Sequence, residues 1–382
     1  MDEKLVDELS ASGHLTPEWR SSFLAVARPR FIPDTIWRWD KDRPGPDLVP
    51  VHRAEHPDQW RELAEGDDVI VIQVDDGHPV GPGEIGEVAT SSASMPLVVA
   101  LMLKHLDVHQ GHRVLEIGTG TGYNAALLAH RLGADHVITI EIDPEVAIHA
   151  RKTLLNTGYG DVTTVVGDGA LGYPPGAPYD RLIATAACQW VPYPWVAQTR
   201  PGGRIVTPWG MQYYNFGLLA LTVNDDGTAT GQIVDSVSFM WLRDQRIACR
   251  AISATAEQDA PASVTETSVH PAEVANAQHL PGACIAIGTR VHNCRSGYIR
   301  PDTDPHGEGV LWLVDHESDS WAQLRHHPDN GGRYRVHQFG PRKLWDEVEI
   351  AYRWWIDQGK PGADRWRFTV TPEGQRIELI SA

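Results

Sequence analysis

The chain has 382 residues, a formal net charge of -17 and 42% hydrophobic residues, the profile of a soluble globular protein long enough for two domains. That acidic surplus argues against a nucleic-acid partner, which normally meets a basic face. The four cysteines (Cys188, Cys249, Cys284, Cys294) form no C-x-x-C pair, no basic-then-apolar leader opens the chain, and no run of 18 apolar residues occurs. No metal centre, no membrane contact and a cytoplasmic location are therefore expected.

Residues 1–33 read as a helical piece ending in Arg28-Pro29-Arg30-Phe31-Ile32-Pro33. Residues 34–85, rich in Pro, Asp and Gly, predict irregular structure with one strand at 69–74. A helix is expected from Ser94 as N-cap, with Pro96 in its first turn and apolar residues at Leu97, Ala100, Leu101, Leu103 and Leu106. Strands and helices then alternate: strand 113–117, helix 122–131, strand 136–141, helix 144–156, strands 162–166 and 180–184, helix 193–199, strand 203–207. This order predicts an α/β fold, a doubly wound and mainly parallel sheet with helices on both faces. Strands 216–223 and 230–239 around Asn224-Asp225-Asp226-Gly227 predict an antiparallel hairpin closing that sheet. Residues 251–282 read as a linker. Residues 283–382 predict a small α+β domain with strand-like Cys284-Ile285-Ala286-Ile287, a helix over about 342–358, and a last hairpin turning at Pro372-Glu373-Gly374.

The richest stretch for chemistry is Val114-Leu115-Glu116-Ile117-Gly118-Thr119-Gly120-Thr121-Gly122, where an apolar strand breaks into a glycine turn before a helix. Glycines let the backbone turn sharply and approach a ligand closely. An acidic residue ends the next strand (Glu141, followed by Ile142), and Gly167-Asp168-Gly169 follows the strand after that. A nicotinamide or flavin site normally reads G-x-G-x-x-G, whereas this spacing is G-x-G-x-G with a carboxylate two residues ahead. S-adenosyl-L-methionine suits these groups: a cation for the carboxylates, a ribose diol for Glu141 and an adenine amine for Asp168. A nicotinamide-dependent enzyme is the competing reading.

The order of pieces resembles the protein-L-isoaspartate O-methyltransferase family. The likeness rests on Val114 to Gly122, Val165-Val166-Gly167-Asp168-Gly169, Ala177-Pro178-Tyr179-Asp180, and Pro201-Gly202-Gly203-Arg204-Ile205-Val206-Thr207-Pro208. Pro29-Arg30-Phe31-Ile32-Pro33 and Ser236-Val237-Ser238-Phe239 sit where that family has an Arg-Phe-Val-Pro segment and a late Val-x-Phe strand. The resemblance implies a Rossmann-like class I S-adenosylmethionine-dependent methyltransferase. It implies cofactor binding by Glu116, Gly118, Thr119, Gly120, Gly122, Glu141, Ile142, Asp168, Gly169 and Thr185. It also places Ser94 on the family's active-site serine, with Ser91 and Ser92 in the same pocket. Ser92 stands where the family has threonine, and Leu97 where it often has histidine.

Composition and element order divide the chain into an N-terminal segment (1–85), a catalytic core (86–250), the linker (251–282) and a C-terminal domain (283–382), and the resemblance implies that the last could dock a peptide. Extended relatives of this type accompany ribosomal-peptide (lanthipeptide or graspetide) biosynthesis and methylate an Asp that then closes to an aspartimide. The expected partner is thus a peptide or protein bearing Asp or isoaspartate, and the favoured state is a monomer. Repair of isoaspartyl residues in damaged proteins is the first alternative, and a non-catalytic cofactor-binding scaffold is the second. An acceptor carboxylate with a pKa near 4 is already an anion at neutral pH, so no general base is expected.

Overall fold

The computed structural model describes residues 2–40, 47–246, 263–275, 280–300, 303, 307–315, 317–326 and 332–380. Its centre is a nine-stranded sheet. Five parallel strands come first: β5 (Val114–Ile117), β6 (Val137–Glu141), β7 (Thr163–Val166), β8 (Tyr179–Ala184) and β9 (Thr199–Trp209). The chain runs outward from β5 through β6 to β7, then returns to β8 on the other side of β5. A crevice opens beyond the carboxyl ends of strands at such a reversal, where open α/β sheets bind ligands. Strands β5 and β6 are buried at every position, as expected for apolar runs covered on both faces. Strands β10 (Gly217–Val223) and β11 (Ala229–Ser236) add the predicted antiparallel hairpin.

One face of the sheet is covered by α1 (Glu3–Ala11), α2 (Pro17–Ala25), α4 (Pro96–Leu106) and α5 (Tyr123–Leu132), which share a single apolar cluster. Helix α6 (Pro144–Thr157) follows β6, capped by Asp143, whose Oδ1 accepts from the Glu145 and Val146 amides at 3.0 and 3.1 Å. The other face carries α7 (Tyr193–Gln198) and the C-terminal residues in one continuous cluster.

Residues 34–85 hold more order than their composition predicts. Strands β1 (Thr35–Trp39), β2 (Leu48–His52), β3 (Ile70–Val74) and β4 (Ala89–Ala93) make a four-stranded sheet, with α3 (Pro57–Glu65) between β2 and β3. Each strand is only five residues long, and β1, β2 and β3 each adjoin an Asp, so none carries a long periodic signal. The 251–282 linker also needs correction: β12 (Ser263–Thr267) and α8 (Pro271–Ala275) lie within it, while 251–262 and 276–279 fall outside the described residues. Strand β12 is the edge of a five-stranded antiparallel sheet with β13 (Arg295–Ile299), β14 (Gly309–Asp315), β15 (Ser320–His326) and β16 (Tyr334–Phe339).

The run Cys284–Ile287 is helical, inside α9 (Pro281–Gly288), and buried on all sides. A short apolar run gives no period that separates a buried helix from a buried strand. Helix α10 (Leu344–Asp357) stands as predicted, with Leu344, Val348, Ala351, Tyr352 and Trp355 buried. The final hairpin, β17 (Trp366–Thr371) and β18 (Gly374–Leu379), is not part of the small C-terminal sheet. Strand β17 pairs with β11 through Ala229↔Val370, Thr230↔Thr369 and Gly231↔Phe368, and extends the main sheet to nine strands. The sequence boundary at 283 therefore divides residues that share one core.

Candidate active site

The turn after β5 is built by glycines at 118, 120 and 122 with φ of +90°, +53° and +84°, backbone that L side chains rarely adopt. At Gly118 a Cβ would stand 2.7 Å from Thr185 Oγ1. That hydroxyl donates to the Gly118 carbonyl at 2.6 Å and ties the end of β8 to the turn. The Gly120 amide donates to Glu141 Oε2 at 2.9 Å, so the turn is also fixed to β6. Gly122 faces Leu154 of α6, whose Cγ lies 3.2 Å from an added Cβ, and it opens α5.

Two carboxylates sit under and beside this turn. Glu116 is fully buried, and its oxygens accept from Asn124 Nδ2 at 2.7 Å and Thr139 Oγ1 at 2.6 Å. Burial pushes its carboxyl up to about 7, against the pull of those two donors. Glu141 is raised by burial as well, opposed by the Gly120 and Asp143 amides that its oxygens accept. On the far side of the crevice Asp168 Oδ1 accepts from the Ala170 amide at 2.9 Å.

A cavity of about 780 Å³ opens over these groups, within the roughly 300–1,000 Å³ of small-molecule sites. Of the residues expected to bind cofactor, Gly118, Gly120, Glu141 and Ile142 line it from the β5–β6 side, and Asp168, Gly169 and Thr185 from the other. Ser91, Ser92 and Ser94 line it as well, so the predicted acceptor serines share one space with the glycine turn. Glu116 and Thr119 do not reach this cavity. They line a side cavity of about 40 Å³ whose walls include Ser92, Ser94, Gly118 and Thr185. Gly122 lines neither, so its place in the motif is conformational.

Ser94 is not a helix cap. Met95 occupies the N-cap of α4, and the Ser94 carbonyl instead accepts from the Arg28 guanidinium at 3.2 Å. Arg28 is 1% exposed and also donates to the Ala64, Gly66 and Asp68 carbonyls. Burial lowers it to about 10. This buried cation fixes the serine segment to the end of α3 and the loop that leads to β3.

Several residues of the site had no reading in the sequence. Gln73 bridges Thr90 and Asp143, accepting from Thr90 Oγ1 at 2.9 Å and donating to Asp143 Oδ2 at 3.0 Å. Burial alone would raise Asp143, but Gln73, the α6 amides and Arg243 hold its carboxyl below the ordinary value. Residues 240–246 form a strap along the cavity through Met240, Trp241, Leu242, Arg243 and Arg246. Arg246 grips Asp76 through two bonds of 2.8 and 2.9 Å, and Arg243 reaches Asp76 at 3.1 Å and Asp143 at 3.5 Å. Asp143-Pro144 is an N-cap signature that could have located the hub of this network; the arginines leave no comparable mark.

The fit of S-adenosylmethionine rests on the donor set and the space. Carboxylates at 141 and 168 flank a glycine turn that an added side chain would obstruct at Gly118, beneath a cavity with apolar walls at Ile117, Ile140 and Phe239. Among the described residues no group of three or more metal-ligating side chains occurs, and no helix is long and apolar enough to cross a membrane.

Comparison with known proteins gives the same direction. A family model described as protein-L-isoaspartate(D-aspartate) O-methyltransferase matches residues 75–247. The protein-L-isoaspartate O-methyltransferase of Methanopyrus kandleri is 45% identical over 211 residues, which cover 54% of this chain and 76% of that protein. That of Hyperthermus butylicus is 41% identical over 166 residues, covering 41% of this chain. The match spans 63% of the Hyperthermus protein's length, less than two thirds. A solved structure described as a protein-L-isoaspartate O-methyltransferase aligns with a TM-score of 0.54 at 20% identity over 99% of each chain, a likeness of fold.

Proposed function

Because the chain belongs to the protein-L-isoaspartate O-methyltransferase family, we propose that it methylates a carboxylate of an Asp or isoaspartyl residue in a peptide or protein, with S-adenosylmethionine as methyl donor. One observation carries the reading: a single cavity joins the glycine turn, Glu141 and Asp168 to Ser91, Ser92 and Ser94. Bound there, the cofactor supplies an electrophilic methyl on a sulfonium. With that group held there, the acceptor carboxylate oxygen would take the methyl and the S–CH₃ bonding pair would stay on sulfur. No proton moves, because the acceptor is already ionised at neutral pH.

The chain's own residues position and desolvate. Gly118 and Gly120 bring backbone close to the ligand, and Glu141 and Asp168 take its ribose and adenine. The Ser94 hydroxyl donates to the acceptor carboxylate, with Ser91 and Ser92 shaping the pocket. Alignment of this kind lowers a barrier by roughly 7–11 kcal/mol in favourable cases.

The finer reading is that the acceptor is an Asp of a modified ribosomal peptide. Its methyl ester is then attacked by the neighbouring backbone nitrogen, closing an aspartimide and releasing methanol. The departures at Ser92 and Leu97 from the family's acceptor-loop pattern support a changed substrate, as does the large part of the chain beyond residue 247. Repair of isoaspartyl proteins fits the names of the relatives. The test is mass spectrometry after incubation with S-adenosylmethionine and either an isoaspartyl peptide or an Asp-containing precursor peptide. Methyl gain followed by net loss of water in the precursor alone supports tailoring. Methylation of the isoaspartyl peptide supports repair, and methylation of neither, with cofactor bound, refutes the enzyme reading in favour of the scaffold.

A further inference from the structure

The cavity wall formed by residues 240–246 is held from two sides. Toward the cofactor side it is tied to Asp76 and Asp143 through Arg243 and Arg246. On its other side it leans on the segment that follows β8. The Ala187 amide donates to the Met240 carbonyl at 2.7 Å, and the Leu242 amide returns a bond to the Ala187 carbonyl at 2.8 Å. Gln245, 4% exposed, locks the contact. Its Oε1 accepts from the Gln189 and Trp190 amides at 2.6 and 3.2 Å, and its Nε2 donates to the Trp190 carbonyl at 3.1 Å. Gln189 Nε2 donates back to the Gln245 carbonyl at 2.8 Å.

The outer side of that same segment is held by the last hairpin of the chain. Gln375 Nε2 donates to the Gln189 carbonyl at 3.2 Å, and Gln375 Oε1 accepts from the Val191 amide at 3.1 Å. Trp209 Nε1 donates to the same Gln189 carbonyl at 2.8 Å, and Phe368 of β17 packs edge-on against the Trp209 ring at 4.7 Å. A glutamine is the fitting side chain here, since one amide head supplies the donor and the acceptor that this backbone needs.

We propose that the β17–β18 hairpin positions the acceptor-side wall of the active site, with Gln375 as the positioning residue acting through Gln189, Trp190 and Gln245 on the strap 240–246. The hairpin is thereby a working part of the methyltransferase, and the C-terminal residues do more than dock a substrate. Gln375 itself does not line the cavity, so its effect falls on how well the wall is held. That this wall faces the acceptor is part of the proposal and presupposes the methyltransferase reading above; the mechanical link does not.

The test uses the full chain with Gln375→Ala, Gln375→Glu and Gln245→Ala. Hydrogen–deuterium exchange is read at residues 187–191 and 240–246, calorimetry gives the affinity for S-adenosylhomocysteine, and steady-state kinetics use the acceptor peptide that the parent methylates. Gln375→Ala is expected to speed exchange across both segments. It should lower kcat/KM for the peptide by about tenfold, mostly through KM, while product affinity stays within about threefold. Gln375→Glu keeps the acceptor for Val191 and should fall between Gln375→Ala and the parent. Unchanged exchange over 240–246 in Gln375→Ala overturns the proposal, whatever the turnover and whatever Gln245→Ala does. Equal losses of product affinity, thermal stability and turnover overturn it too, because they mark general weakening. A parent protein that methylates no peptide refutes the functional reading alone, and the exchange and calorimetry still decide the mechanical link.

Discussion

Gly118→Ala tests whether the glycine turn is a ligand cradle. Position 118 has φ +90°, and left-handed backbone costs an L-residue roughly 1–2 kcal/mol. The new Cβ would stand 2.7 Å from Thr185 Oγ1. The hydroxyl must then leave the Gly118 carbonyl it now contacts at 2.6 Å, a further loss of roughly 1 kcal/mol. The sum, about 2–3 kcal/mol, is well inside the roughly 5–15 kcal/mol of a folded domain, so the variant should fold with a displaced turn. Carried into ligand affinity, it weakens S-adenosylhomocysteine binding by roughly thirty- to a hundred-and-fortyfold, read by calorimetry. Thr185→Ala alone should cost roughly 1 kcal/mol. Because both single changes lose the same hydrogen bond, the double variant should be about 1 kcal/mol better than additive. Gly118→Ala binding within threefold of the parent, or strict additivity, would refute the argument.

Four further outcomes are expected. Burial places the Glu116 carboxyl at about 7, so affinity for cationic S-adenosylmethionine should tighten as pH rises through 7, and Glu116→Gln should flatten that profile in calorimetry. In the empty protein the sign is reversed. The folded chain keeps a proton that the unfolded one, at 4.5, releases; this contribution is complete below 4.5 and is lost as pH rises through 7. Glu116→Gln should therefore gain stability relative to the parent at pH 8 compared with pH 5 in urea unfolding. Arg28→Met removes a buried cation from the Ala64, Gly66, Asp68 and Ser94 carbonyls, at a cost of roughly 3–5 kcal/mol; a loss under about 1 kcal/mol in urea unfolding would contradict the staple. Truncation after residue 246 uncovers one side of the core around Trp209 and bares the β11 edge, so the product should aggregate in gel filtration, and a monodisperse monomer would contradict the shared core.

The legible parts of this molecule were those whose cause is local. Val114–Ile117 and Val137–Glu141 are apolar runs ended by glycine or acid, and each is a buried parallel strand in the structure. The positive φ at Gly118, Gly120 and Gly122 is the conformation the glycine spacing suggested. Residues whose partners are far away were not legible. Arg28 meets carbonyls between 35 and 66 positions later, and Gln375 meets Gln189 across 186. The helix through Cys284 to Ile287 was misread because a residue buried on every side shows no period. The strands at 35–39 and 48–52 were missed because alternation over five residues competes with flanking turn formers.

The attachment of β17 to β11 sets an order for assembly during synthesis. Strand β11 ends at Ser236, and the neighbour that covers it begins only at Trp366. Until that later stretch emerges from the ribosome, β11 presents unpaired backbone amides and carbonyls, a template for pairing with other chains. During translation the sheet therefore stands with seven strands and one open border until the last hairpin arrives.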